Sequence, residues 1–545
     1  MSLGAALPSQ PGFGSEPVRA EKPRLAPRAR ISGIRSRRAG RAFEREPRVR
    51  FAERALLAVF VVAGVYSLLF FAEYWFASQH QRAPLLFWLL SFAVCWNPLC
   101  NVYNWWVYLW AEHPLDVSSA PPPLHPDTKA DVLMPCMPGE PFSMIELTLR
   151  AIRRLSYLGD AFLLDGGNDP KLVELCNRLG VVHVNCKNVG GAKAGKVNHC
   201  LKYFSTAEFA LVIDPDHIPR TDFLARVLPW FSEARVGFVQ VVQAYYNLRD
   251  NWVAWGAGEQ TFGFYGPTLM GLNGLGIPTA IGANCTFRRS ALDAIGGHAE
   301  HLAEDALTSM RMHAAGYTSV YLPYRASEGL VPTDLNAFWK QQLKWATGMT
   351  YLLFQEYPKL FLRFSAACKL HYGVSCLYYL RGVVGALTLS LPALFLLLHV
   401  HAVELPLAGF LWHVAPYALS TLVINTLVQR WYSHREERGL PWRSLLLEKA
   451  TWHIYLLGFV YGAVGRKVPY LPTPKDGGGR LPFRSVWPHW LLLLLSLCAV
   501  AAVPLTYQRI EAGTSLMIGL SLANSLLLLP AALACLRGPV QKAAA

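Results

Sequence analysis

Charge is scarce in this sequence: Asp, Glu, Lys and Arg supply only 16% of its 545 residues, against about 25% in an ordinary soluble domain. With so many apolar residues beside them, that shortage excludes a disordered chain, which needs high charge and low hydrophobicity. Cysteine is sparse too, with 11 residues, an odd number, and no CxxC pair. A disulfide scaffold and a zinc site are thereby excluded, and the cysteines read as small buried hydrophobes in a reducing compartment. A cleavable signal peptide is also missing, because the first apolar run starts near residue 55 and is too long. What the chain has in quantity is apolar residues, 53% of the total, at a mean hydropathy of +0.24. Its middle nevertheless has ordinary soluble composition. The expectation is a membrane protein with an aqueous domain inserted.

Formal charge is +15. Residues 1–54 hold 13 Lys and Arg against 5 Asp and Glu, with local runs such as Arg35-Ser36-Arg37-Arg38. This arm abuts an apolar run, so it reads as a cytoplasmic flank obeying the positive-inside bias and touching anionic lipid, not as a nucleic-acid arm. A helical span takes about 20 mostly apolar residues. Such runs fall at 55–76, 85–110, 374–399, 404–427, 487–506 and 514–536. Glu448–Gly465 is ambiguous, and parity decides it. The flanking loops 428–447 and 466–486 are both basic, and a helix lying in the cytoplasmic interface keeps both inside. The plan is two spans, an aqueous domain and four spans, in an inner or plasma membrane with both termini cytoplasmic. The corresponding boundaries are 1–54 for the arm, 55–111 for the first spans, 112–350 for the aqueous domain and 351–545 for the rest.

After the linker Ala120-Pro121-Pro122-Pro123, short β-rich runs alternate with helical patterns. Asp131–Pro135, Ala161–Asp165, Val181–Asn185 and Phe209–Asp214 read as buried strands, with helices at 141–155, 170–179, 196–204 and 221–233. That rhythm predicts an α/β domain with a mainly parallel sheet. Loops past the strands' carboxyl ends then carry the ligand.

The sharpest local feature is Asp214-Pro215-Asp216-His217, just past a buried strand. Two carboxylates two residues apart suit a hard divalent ion, Mg2+ or Mn2+, that also takes phosphate oxygens. Asp165 ends an earlier strand in Asp165-Gly166-Gly167, as a turn former or as an acid for a base or ribose. Gly190–Lys196 fits GxxxxGK, but Val197 stands where Ser or Thr would meet the metal. A glycine-rich turn aiming Lys193 at phosphate is the alternative. Glu304-Asp305 opens an amphipathic stretch, as helix-start acids or as a general base at the mouth of the site. Gln341-Gln342-Leu343-Lys344-Trp345 and the loop Tyr470–Gly479 follow; the latter reads as a Pro/Gly linker or as a mobile lid bringing donors to phosphate.

In this order the set resembles the processive family-two glycosyltransferases, cellulose synthase-like, over roughly residues 85–485. Gln341-x-x-Lys344-Trp345 is similar to the family's QxxRW, and Tyr470-x-Pro472-Thr473-x-Lys475 resembles its FxVTxK gating loop. The resemblance implies a GT-A-like α/β domain within a helical bundle of about six spans. It implies a nucleotide sugar, UDP-glucose first, as donor, a growing polysaccharide as acceptor, the bilayer and accessory export subunits as partners, and no nucleic acid. It assigns Asp216 to the metal and Asp305 to the general base. Glu140, Asp165, Lys193, Asp214, Glu304, Gln341, Lys344, Trp345, Tyr470, Thr473 and Lys475 would bind substrate. The product would be a β-glucan, 1,4-linked in preference to 1,3-linked, made with inversion.

The chain departs from that pattern at Lys344 for Arg, Ala303 for the Thr of TED, Leu164 for an Asp and Pro472 for Val. Few residues follow the last span, so the cyclic-di-GMP domain of the bacterial enzymes is not expected here. Within the class, the alternatives are a chitin- or hyaluronan-type synthase using another nucleotide sugar and a nonprocessive lipid glucosyltransferase. Outside it stands a P-loop ATPase coupled to transport.

Overall fold

The computed structural model describes residues 47–114, 123–399, 403–404, 406–466, 468 and 481–536. Ten strands are present among them: β1 Ala130–Cys136, β2 Leu158–Asp165, β3 Val182–Asn185, β4 Phe209–Val212, β5 Ile218–Pro219, β6 Val236–Val241, β7 Ala244–Tyr245, β8 Cys285–Arg288, β9 Thr318–Leu322 and β10 Ser327–Gly329. Seven form one sheet in the order β3-β2-β1-β4-β8-β6-β9, and β5-β10-β7 form a small second one. β1 to β4 are mutually parallel, as expected. The sheet is mixed, however: β8 runs antiparallel to both β4 and β6.

Continuous apolar runs make these strands because helices cover both faces. Val132 and Met134 of β1 point to one core with Leu149, Leu163 and Phe223. The intervening Leu133 joins the opposite core with Val197, Phe287 and Met312. That alternation is the two-residue period of a strand. The first helices follow the expected order at Phe142–Ile152, Pro170–Leu179 and Ala192–Tyr203. The third starts four residues before its expected position, because Gly191 takes a left-handed φ of 77° and turns the chain into it. At 221–233 a short α-helix, Phe223–Val227, passes into a 3-10 turn at Leu228–Ser232, where Pro229 has no N–H to continue the ladder.

Among the described residues, six helices have the length and composition to cross a membrane: Phe51–Trp75, Pro84–Leu109, Ala366–Leu398, Leu407–Trp431, Phe483–Thr506 and Ala512–Leu536. They make this a multi-pass membrane protein with the α/β domain between the second and third. The third starts eight residues before the apolar run that predicted it. The ambiguous segment is a separate helix, Trp442–Ala463, outside this set. The links after the first and third spans meet on one side: Arg82 pairs with Glu404 at 2.6 Å, and Glu404 N donates to His80 O at 2.9 Å. Two-plus-four parity requires that meeting.

The helix Leu335–Tyr351 is laid on Trp442–Ala463 through glycines. A methyl on Gly458 would stand 2.4 Å from Ala346 Cβ, and one on Gly462 2.5 Å from Thr350 Cβ. Only residues without side chains permit so close a crossing.

Candidate active site

The sheet's strand order reverses at β1, whose neighbours are β2 and β4. A crevice beyond the carboxyl ends at such a reversal is where open α/β sheets bind ligands. Asp165 ends β2 and Asp214 follows β4. Lys193 reaches the crevice from the first turn of the helix Ala192–Tyr203. Its buried Nζ donates to Asp214 Oδ1 at 2.6 Å and also to the carbonyl of Gly282.

Asp214, Asp216 and His217 each offer a ligand atom within 4.8 Å of the others. Asp216 and His217 are buried while Asp214 is half-exposed. His217 Nδ1 lies 3.2 Å from Asp216 Oδ1 and its Nε2 2.9 Å from Gln243 Nε2. Both ring nitrogens are thus engaged, and Asp216 Oδ2 accepts from Leu330 N at 3.3 Å. Hard oxygen donors fit Mg2+ or Mn2+. His217 and Gln243 were not assigned roles from sequence. The first stood inside the quoted motif; the second gives no local signal.

Glu304 and Asp305 form the first turn of the helix Glu304–Ala314, whose N-cap Ala303 offers no side-chain acceptor. Asp305 Oδ1 accepts from the Ala306 amide at 2.8 Å. Gly282, at φ +81°, brings its backbone up to this acid: an added methyl would lie 3.2 Å from Asp305 Oδ2. Burial pushes Glu304 up to about 7, with Asp305 adding to the rise and Lys193 and Lys344 opposing it. Asp305 is raised as well, by burial, with the Ala306 amide and the same two lysines opposing. Residues 193, 214, 282, 304, 305 and 344 therefore converge from five separate stretches.

Asp165 lies at the same strand-end edge but spends its oxygens locally. Oδ1 accepts from Gly167 N at 2.7 Å, and Oδ2 from Asp169 N at 2.7 Å and His183 Nε2 at 3.1 Å. Burial raises its pKa, but these bonds outweigh burial and leave it lowered. Glu140 Oε2 accepts from Met137 N at 2.9 Å in the turn after β1. Lys196 turns inward onto Cys136 O at 2.7 Å and Met137 Sδ at 3.0 Å. The lysine of the GxxxxGK spacing is therefore tied to the backbone at the carboxyl end of β1.

Gln341, Lys344 and Trp345 share the helix Leu335–Tyr351. Trp345 packs against a cluster that includes Tyr379 and Tyr455, as Tyr378 does; these tyrosines stand on Tyr378–Leu380 and Trp442–Ala463. The ring centroids of Tyr378 and Tyr379 are 5.0 Å apart and those of Tyr379 and Tyr455 5.5 Å. Tyr470, Thr473 and Lys475 lie outside the described residues.

Residues 209–523, more than half of the chain, match the family model described as Glycosyl transferase family group 2.

The chain belongs to this glycosyl transferase family.

Among relatives of this glycosyl transferase, a UDP-forming cellulose synthase catalytic subunit of Pseudomonas fluorescens (strain SBW25) is 26% identical over 361 residues, which cover 64% of this chain and 46% of the relative. A UDP-forming cellulose synthase 1 catalytic subunit of Komagataeibacter xylinus is 27% identical over 258 residues, covering 45% of this chain and 34% of the relative. The glycosyl transferase thus spans less than half the length of either relative. A crystal structure of glucosyl-3-phosphoglycerate synthase from Mycobacterium tuberculosis, with Mn2+ and UDP, is similar at 14% identity and a TM-score of 0.30. That match covers 40% of this chain and 78% of the other, and at such a score it carries no argument.

Proposed function

We propose that this protein is a membrane-embedded, inverting, processive glycosyltransferase that joins the sugar of a UDP-sugar, UDP-glucose first, to a growing β-glucan and extrudes it. The 1,4 linkage is favoured over 1,3. The observation that carries this reading is the convergence of Lys193, Asp214, Asp305 and Lys344 at a strand-end crevice, with Trp345 leading from it to a tyrosine wall on the membrane helices.

In this reading Asp305 is the general base. Its raised pKa brings a carboxylate closer to the pH at which it can take a proton from an acceptor hydroxyl. The deprotonating oxygen attacks the anomeric carbon opposite the diphosphate. The bond from that carbon to the leaving oxygen breaks, UDP departs with the electron pair and the configuration inverts from α to β. Lys193 and Lys344 place two cations beside the reacting centre, where fixed charge in a partly dry site stabilises the leaving diphosphate. Asp216 and Asp214 would hold Mg2+ or Mn2+, and the ion when bound would neutralise charge on the diphosphate. Asp165 and Glu140 would face the nucleotide. Gln341 and Trp345 would hold the acceptor's terminal sugar, with Tyr470, Thr473 and Lys475 on a loop over the donor. The catalytic domain and both termini are assigned to the cytoplasm.

The test is purified protein in lipid, given radiolabelled UDP-glucose, UDP-N-acetylglucosamine and GDP-mannose in parallel with Mg2+ or Mn2+. Products are sized, then digested with linkage-specific glycosidases. Label from UDP-glucose in long chains cut by a β-1,4-glucanase is the expected result. A single-sugar lipid as sole product would overturn processivity.

A further inference from the structure

The loop between residues 278 and 284 presents Gly282 to Lys193 and Asp305. It is held from the sheet side by Gln240, which accepts from Ile281 N at 3.0 Å and donates to Ala283 O at 3.0 Å. On the other side the bonds leave the α/β domain. Thr279 Oγ1 meets His371 Nε2 at 2.8 Å, and His371 Nδ1 meets Tyr103 Oη at 2.7 Å. Tyr372, the next residue of the same span, lies 2.6 Å through Oη from His313 Nδ1. His313 Nε2 is 2.9 Å from Ser319 Oγ, whose proton goes to Pro278 O at 2.7 Å.

Directions can be assigned from Pro278 back to Tyr372. The Ser319 hydroxyl gives its one proton to Pro278, so it accepts from His313 Nε2–H. Burial holds that imidazole neutral, pushing it down to about 3, so Nδ1 is an acceptor and Tyr372 O–H donates to it. His371 joins Tyr103 to Thr279 through its two ring nitrogens, and Ser375 Oγ approaches the same Nδ1 as Tyr103, at 3.3 Å. No carboxylate faces either ring within these bonds, and an uncompensated buried imidazolium would be costly. The result is two short series of hydrogen bonds that leave adjacent residues of the span Ala366–Leu398, His371 and Tyr372, and reach adjacent residues of the loop. One includes the span Pro84–Leu109 and the other the helix Glu304–Ala314 and β9. His313 is on the same helix as Asp305, two turns further along.

We propose that Thr279, His313, His371 and Tyr372 are positioning residues: their bonds set the helix that carries Asp305, and the loop that carries Gly282, at a fixed depth on two membrane spans. The inference rests on the glycosyl-transfer reading for its kinetic readout only. Two adjacent residues of the loop, Pro278 and Thr279, are the points at which the two series grip it. Removing the Thr279 or the Tyr372 hydroxyl breaks one of them and leaves a buried partner without its bond.

Full-length protein in lipid nanodiscs carrying Thr279→Val or Tyr372→Phe tests this. Amide hydrogen exchange across 304–314 should quicken about tenfold in both variants while exchange across 142–152 stays unchanged. kcat should fall about tenfold with the KM for the nucleotide sugar within twofold, and Thr279→Ser should restore both readouts. Unchanged exchange across 304–314 in both variants would overturn the bridge. So would uniformly faster exchange of the whole α/β domain with kcat and KM worsening together, since that marks general loosening. Should the unmutated protein transfer no sugar, the reading of its activity fails, and the exchange comparison alone decides the bridge.

Discussion

Lys193 Nζ donates to Asp214 Oδ1 at 2.6 Å across 21 residues of sequence, and the same ammonium reaches the carbonyl of Gly282. One cation thereby ties the acidic end of β4 to the loop that abuts Asp305. Replacing Lys193 by Met keeps the stem and deletes the charge. kcat/KM for the nucleotide sugar should fall about 100-fold or more, with UDP binding weakened in calorimetry and the folded fraction in size exclusion unchanged.

Asp305→Asn removes the proposed proton acceptor and keeps its shape. This variant should bind UDP with the affinity of the parent and make polymer at least about 100-fold more slowly. Radiolabel incorporation beside UDP titration checks it, and normal polymer yield refutes the assignment of the base.

Acidity should move activity and stability in opposite directions. Glu304 stands near 7 when folded, above its ordinary 4.5, and Asp305 is raised beside it. A carboxyl whose folded pKa is raised favours folding while protonated and works against it once ionised. Stability from this pair is therefore full below the unfolded pKa and is lost as pH rises from about 4.5 to about 7. Glu304→Gln should gain on the order of 2 kcal/mol over the parent at pH 8 and little at pH 4.5, read by thermal melting at both pH values. Sugar transfer should decline as the pH is lowered, because Asp305, whose pKa is raised by burial, must be ionised to act.

Gly329 sits against the imidazole of His217, where an added methyl would stand 2.4 Å from Nε2. Gly329→Ala forces the ring to move, and with it the contact to Asp216 Oδ1. The Mn2+ concentration for half-maximal activity should rise several-fold, and stability should drop by about 1–3 kcal/mol. An unchanged metal dependence would show that the ring plays no part in placing Asp216.

Much of the architecture was legible because it rests on local pattern. Strands at 131–135 and 161–165 appear as short apolar runs, and six spans appear as long ones. The basic loops beside Trp442–Ala463 likewise marked a helix that stands apart from the six. β8 was not legible. Its four residues, Cys285–Arg288, resemble any short apolar run, and their antiparallel place between β4 and β6 is set by partners dozens of residues away. For the site, the acids and Lys193 could be picked out by type and spacing. Gln243 and the loop at 278–284 could not, since their roles come from hydrogen bonds to distant residues. Trp345 was legible as an aromatic on an amphipathic helix, but the tyrosines of its cluster were hidden in apolar sequence, Tyr378 and Tyr379 within a span and Tyr455 in Trp442–Ala463.

Lys344 and Trp345 are consecutive on one helix, so they project about 100° apart with a rise of about 1.5 Å between them. The cation answers to the acidic pair and the indole to the tyrosines. Neither can be shifted without carrying the other, since Gly458 and Gly462 clamp their shared backbone. If the proposed reaction holds, bond formation and the forward passage of its product would be geared to a single rigid shaft. A lesion that slips this helix would stall both at once and would not leave either idling alone.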